Sequence, residues 1–198
     1  MLRDPRILTG SIIALVVVVL AVLGPLFAPY GENEIVGKPF TMEGGPLGTD
    51  YLGQDVLSRV LYGGQSVLMI AVLATVLGVA LGLVVGVTAA YVGGWLDELL
   101  MRGNDVLLAF PQILIALVVL SAVEQPTWWM IVLLVGIAHA PRVARVARGV
   151  ALSYVNNDFV TAAEAIGEPR WRIATFELGP NLVVPLLAET GLRLTYSI

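Results

Sequence analysis

Across residues 66–96 the chain carries no charged side chain. About 20 consecutive apolar residues cross a bilayer as a helix, so this run is long enough to span with tilt or with a re-entering end. Only 13% of the residues are charged and 58% are hydrophobic, whereas soluble domains carry roughly a quarter charged residues. The surplus falls in long uncharged runs, which excludes an ordinary globular core. The chain reads as an all-α integral membrane protein with about five transmembrane helices.

Residues 1–31 form an N-terminal span centred on "SIIALVVVVLAVLGPLFA". It is longer than a signal-peptide core and is followed by further spans, so it is retained. Residues 32–65 are polar and rich in Gly and Pro. A helix is predicted there from Thr49 or Asp50, with Val56, Leu57, Val60 and Leu61 on one face lying against the membrane surface. Residues 66–153 hold spans two to four. "WLDELLMRGND" reads as a short charged connection, and Phe110 and Pro111 open the third span at residues 106–123. The paired Trp128 and Trp129 suit an interfacial belt at the start of the fourth, which continues past Pro141 through "RVARVAR". Residues 154–180 form a polar loop, and 181–198 a fifth span containing Glu189 and Arg193.

Within the second span, Ala74, Gly78, Gly82, Gly86, Ala90 and Gly94 stand four residues apart. Small residues at this spacing let helix backbones approach closely in lipid. The row drifts around a straight helix, so it suits one partner crossing at an angle, or two partners in turn. Glycine is common in membrane helices generally, but six small residues in register favour packing.

Orientation follows from the 11 Lys and Arg. With the N-terminus inside, Arg3, Arg6, Arg102, Arg142, Arg145, Arg148, Arg170 and Arg172 are cytoplasmic, while Lys38 and Arg59 lie outside. The reverse arrangement opposes the positive-inside tendency. The polar loop "YVNNDFVTAAEAIGEPRWRIATFELGPN" is then cytoplasmic. Asn156 or Asn157 can cap a helix over residues 158–166, with Asp158 favourably placed in its first turn. Gly167 can terminate it in the left-handed conformation, and Pro169 suits the start of a second helix over 169–178. Gly179 and Pro180 stop that helix before the fifth span. Phe159, Ala162, Ala163 and Ile166 share a face, with Asn157, Thr161 and Glu164 away from it. Two readings are open: the face inserts into a groove on another protein, or it packs on the chain's own helices.

Other polar groups offer weaker signals. Arg142, Arg145 and Arg148 fit interfacial anchoring better than a contact with partner or anionic lipid. Glu189 and Arg193, four residues apart, can pair; placed near the cytoplasmic end, they point to anchoring or a partner contact rather than a substrate site. His139 reads as a packed or interfacial side chain rather than a ligand, and Asp50 and Asp55 as cap and solvent-facing residues. Cysteine is absent and there is one His, which excludes thiolate chemistry and the two-His zinc motif. No phosphate loop or nucleophile elbow occurs, so no enzymatic activity is predicted.

Three blocks carry a family resemblance. "DFVTAAEAIG", followed after a spacer by "PN", looks like the cytoplasmic EAA loop of permease subunits in bacterial ABC importers. "PLGTDYLGQDVLSRVLYGG" and "GGWLDELLMRGNDVLLAFPQILIAL" resemble the corresponding segments of dipeptide and oligopeptide permeases of the DppC/OppC type, and the similarity covers most of the chain from about Pro46. The resemblance implies a type I ABC importer permease fold in the bacterial inner membrane. It implies that the loop is a coupling helix docking into an ATPase subunit through Asp158, Phe159, Thr161, Ala162, Ala163, Ile166 and Gly167. Thr161, Ala162 and Ala163 match the EAA triplet, and Pro180 its closing Pro. Thr161 stands for the usual Glu, Gly179 for the usual Leu, and Gln54 where a basic residue is common.

The implied partners are a homologous permease packed across the small-residue row, two ATPase subunits and an extracytoplasmic binding protein, with no nucleic acid. ATP and Mg would be held by the ATPase subunits, and this chain would hold no cofactor. Such permeases usually have six spans, so the sixth is expected to be missing here. The same motif would serve a nickel or other small-solute permease, and a truncated, non-transporting scaffold is a further alternative. An ion-driven secondary transporter would need acidic relays in mid-span, and spans one to four have none.

Overall fold

The computed structural model describes residues 5–42 and 44–198. Among them the regular structure is helical: α1 (Pro5–Phe27), α2 (Val56–Val92), α3 (Gly94–Ala109), α4 (Gln112–Ser121), α5 (Trp128–Tyr154), α6 (Asp158–Ala165), the single turn α7 (Arg170–Arg172), a π-helical stretch Ile173–Leu178 and α8 (Gly179–Ser197). Arg3 lies outside the described residues, as does the side chain of Arg6. Contacts divide the chain into two units, one up to Met69 and one from Ile70, with α2 contributing to both.

In the first unit, α1 packs on the opening turns of α2 through small residues. A Cβ added to Gly24 would meet the Leu61 carbonyl oxygen at 2.8 Å, and one added to Gly64 would meet Ala21 Cα at 3.2 Å. The intervening segment is closed by two isolated bridges, Ile35 with Gln54 and Thr49 with Asp55. These change the expected start of the helix. The Asp50 carboxylate accepts N–H bonds from Leu52 and Gln54 and the Arg59 guanidinium at 2.6 Å, so it builds a turn rather than a cap. Burial works against its charge, but the Gln54 N–H, Arg59 and the Leu52 N–H together hold its carboxyl below its ordinary value. Asp55, fully buried, does the capping: Ser58 donates to it from N–H and hydroxyl at 2.8 and 2.7 Å. The helix therefore begins at Val56 and runs unbroken into the span. The separate interfacial helix is corrected, because Gly63 and Gly64 are helical and Leu61 is packed on α1.

In the second unit, among the described residues, the small-residue row packs on α5 of the same chain. A Cβ on Gly78 would sit 2.8 Å from the Gly136 carbonyl oxygen, and one on Gly82 would sit 2.5 Å from Val143 Cβ. Gly86 lies against the Ala144 carbonyl and Ala147, while Ala74 and Ala90 are buried. The expected use of this row for a second permease is thereby corrected. Gly94 stands apart from the row: Gly93 and Gly94 have φ of 65° and 60°, which ends α2 and turns the chain into α3.

The segment expected to be a charged connection is α3. Its acidic side chains clamp it to α5, with Arg148 bidentate on Asp97 (2.6 Å for both bonds) and Arg145 paired with Asp105. These two arginines therefore hold helices together, and the anchoring role expected of them is corrected. Between α3 and α4 the axis bends by 77°. Pro111 lacks the N–H that would continue the helix, and it drives Phe110 to extended geometry at φ −93°, ψ 136°.

The second loop helix also differs from expectation. Gly179 is helical, and the chain passes from α7 through Ile173–Leu178 into α8 without a stop. The Pro180 ring would clash with the carbonyl four residues back; the wider π register over Phe176 relieves this, and Asn181 Nδ2 donates to the Glu177 carbonyl at 2.9 Å. Among the described residues three helices are long and apolar enough to span (α1, α2 and α5), or four with the bent α3–α4 pair, fewer than the five expected. The helix α8 has 19 residues but carries Asn181, Glu189, Thr190, Arg193 and Thr195. It lies on α5, and its Leu182 and Leu186 join the core of Val87, Ala90, Val143 and Ala147.

Two outcomes follow for stability in detergent. Gly82→Val overpacks the α2–α5 seam and is expected to cost about 1–3 kcal/mol, read as a lowered Tm. Gly103→Ala, inside α3 where an added Cβ meets nothing within 4 Å, is expected to hold or raise the Tm, since alanine favours a helix interior over glycine by about 0.5–1 kcal/mol. For the Asp97–Arg148 pair, a double-mutant cycle with alanine is expected to give a coupling of about 0.5–3 kcal/mol, and simple additivity would refute the clamp.

Candidate functional site

Between α5 and α8 the chain makes a tight hairpin. Asn157 takes the N-cap position with extended backbone (φ −79°, ψ 153°), though its side chain makes no capping bond, and Asp158 occupies the first turn. At the other end Gly167 has φ 81°. Its N–H donates to the Glu164 carbonyl at 3.0 Å, and that of Glu168 to Ala163 at 3.1 Å. This paired arrangement closes a helix around a left-handed residue. An added Cβ at Gly167 would touch nothing, so glycine is needed there for the backbone alone. Pro169 then opens α7, and Glu168 pairs with Arg172 at 3.2 Å.

The hairpin has two sides. Val160, 1% exposed, and Ala163 face inward onto the core that includes Ile173, Leu178, Ala147 and Ala151. On the outside Asp158, Phe159, Thr161, Ala162, Ile166 and Gly167 are all exposed, Ile166 by 78%. The face read from the sequence is thus split, with Ala163 on the packed side and Phe159, Ala162 and Ile166 on the free side. Val160 went unnoticed because Val160 with Ala163 forms a second apolar stripe, one residue out of step with the first. Glu164, placed away from packing by the helical wheel, accepts the Tyr91 hydroxyl at 2.7 Å and ties α6 to the end of α2. Tyr91 and Glu164 are so far apart in the chain that no sequence spacing could signal the bond.

Elsewhere, Glu189 and Arg193 do pair, at 2.9 Å. They sit some 15 and 21 Å along α8 from Gly179 at 1.5 Å per residue, away from the end that joins the hairpin, so their expected place beside that end is corrected. His139 is packed as expected, 4% exposed, with Nε2 against Ser197 Oγ at 2.8 Å. Among the described residues no cluster of His, Asp and Glu is placed to hold a metal ion.

Residues 78–198 match the family model of the binding-protein-dependent transport system inner membrane component. The chain is 30% identical to the dipeptide transport system permease protein DppC of Haemophilus influenzae, over 96% of this chain and 68% of that one. It is 37% identical to a putative peptide transport system permease protein of Brucella suis, over 94% and 64%, and 31% identical to the glutathione transport system permease protein GsiD of Escherichia coli, over 99% and 66%. The chain thus spans about two thirds of the length of these relatives. The matched region takes in α3 to α8 and the whole hairpin, and the chain belongs to the binding-protein-dependent inner membrane transport components, among the DppC/OppC-like ABC permeases.

Proposed function

We propose that the chain is the transmembrane permease subunit of an ATP-driven importer of short peptides, and that α6 is the element through which ATPase subunits drive it. The observation that carries this reading is the two-sided hairpin. Val160, Ala163 and the Tyr91–Glu164 bond join α6 to the helical bundle, while Phe159, Ala162 and Ile166 stay exposed. A short apolar ridge on a firmly held helix suits a groove on a partner, and a push there would pass to α5 and α8 as a rigid-body displacement. The basic residues support a cytoplasmic hairpin and a cytoplasmic N-terminus. An ATPase pair holding ATP and Mg, a second permease and an extracytoplasmic binding protein complete the assembly. The second permease would use a surface other than the glycine row, which α5 occupies. Peptide as cargo is supported by the names of the relatives.

The test is a mild-detergent pull-down of the chain from its native membranes, with copurifying proteins identified by mass. An ATPase with a phosphate loop plus a second permease supports the importer; recovery of the chain alone overturns it. In the same assay Ile166→Asp is expected to reduce ATPase recovery about tenfold or more, as loss of an interface anchor does, without lowering Tm. Gly167→Val, which forces a β-branched residue to φ 81°, is expected to uncouple ATP hydrolysis from uptake while insertion persists. Gly167→Asn, tolerant of that conformation, is expected to restore coupling.

A further inference from the structure

A cleft of about 440 Å³ opens between α4, α5 and α8, lined by Gln112, Ile113, His139, Arg142, Arg193 and Tyr196. Ligand sites commonly fall between about 300 and 1,000 Å³. Its charged lining groups are the guanidiniums of Arg142 and Arg193, and no carboxylate is among the lining residues. Arg193 is 8% exposed; Glu189 Oε1 approaches its Nε at 2.9 Å, but off the line of a hydrogen bond, so Nε has no hydrogen-bond partner. Buried polar atoms without partners are rare and call for an explanation.

Charge points the same way. Arg145 and Arg148 each have an aspartate on α3, whereas Arg142, one turn earlier on α5, has no ion pair among the described residues. Two guanidiniums at the cleft against the single carboxylate of Glu189 leave one positive charge over. The break at Phe110–Pro111 adds to it. Gln112 and Ile113 are the first residues of α4, so their N–H groups have no carbonyl one turn back, and the helix directs its positive end to where anions are favoured. In secondary transporters, half-helix N-termini at such breaks point at anionic substrate groups. Gln112 is held in place by its own bond to the Ala138 carbonyl at 2.6 Å, and Arg193 lies 5.2 Å from the centre of the Tyr196 ring. The exposed Ile113 and Tyr196 supply an apolar wall beside the cations.

We propose that this cleft binds a single carboxylate of the transported solute, with Arg142 and Arg193 as its cationic partners and the N-terminus of α4 as a further donor. The proposal rests on the reading of the chain as a permease for peptides, whose free C-terminus is such a group. The test is binding to the full chain in nanodiscs of zwitterionic lipid, with no ATPase or binding protein present. The probes are an acetylated alanine dipeptide with a free C-terminal carboxylate and the same dipeptide ending in an amide. The carboxylate form is expected to bind at least about tenfold more tightly, and Arg142→Gln to bring it to the level of the amide. Arg142 is exposed, so this variant leaves the core intact, and an unchanged Tm confirms it. Equal binding of the two probes, binding of neither, or indifference to Arg142→Gln overturns the proposal. Loss of carboxylate binding when anionic lipid is included also overturns it, by assigning the cleft to lipid headgroups. Because no partner subunit takes part, a negative result here leaves the pull-down to decide the importer reading separately.

Discussion

Backbone-to-backbone contact between α2 and α5 is the constraint from which the rest of the second unit follows. Lipid tails are as apolar as leucine, so membrane helices associate through close packing and hydrogen bonds rather than through expulsion of water. At Gly78, Gly82 and Gly86 the approach is so close that even a Cβ has no room. With one side of α5 pressed against α2, its remaining sides are free to receive α3 through Asp97 and Asp105 and α8 through Leu182 and Leu186. The glycine row thus spends its packing capacity inside the chain.

The charged and irregular parts obey the same economy. An arginine at the centre of a membrane helix costs about 2.5–3.5 kcal/mol on insertion scales, and Arg145, Arg148 and Arg193 each have a carboxylate in this chain. Two of the backbone irregularities belong to prolines: Pro111 produces the 77° bend and Pro180 follows the π stretch that leads into α8. Non-helical backbone at membrane depth is tolerated where protein buries it or a cavity adjoins it, and the bend at Pro111 borders the cleft of Gln112, His139, Arg142 and Arg193.

In the proposed importer the hairpin would work as a lever, because its two stripes are out of step by one residue. Val160 and Ala163 pack internally, and Phe159, Ala162 and Ile166 remain exposed. The two readings that the sequence left open are therefore compatible, each using a different side of one helix. In the proposed importer the Tyr91–Glu164 bond gives the hairpin a second attachment, to α2, so displacement of α6 would move more than its flanking helices.

Local patterns were sufficient for much of this. Uncharged length defined α1, α2 and α5; Gly167 marked the hairpin turn; the i, i+4 spacing of Glu189 and Arg193 predicted their pairing. These are properties of consecutive residues, where helix geometry alone decides the outcome. Where local signals competed, the sequence misled: Asp50 and Asp55 both resemble caps, Gly179 and Pro180 resemble a stop, and "WLDELLMRGND" resembles a loop until Asp97 and Asp105 meet Arg148 and Arg145. Tertiary structure alone decided that the glycine row faces α5, that Glu164 reaches Tyr91, and that Arg142 shares a cleft with Arg193. Each of these joins residues far apart in the chain, and periodicity reveals which face of a helix is special without saying what lies against it.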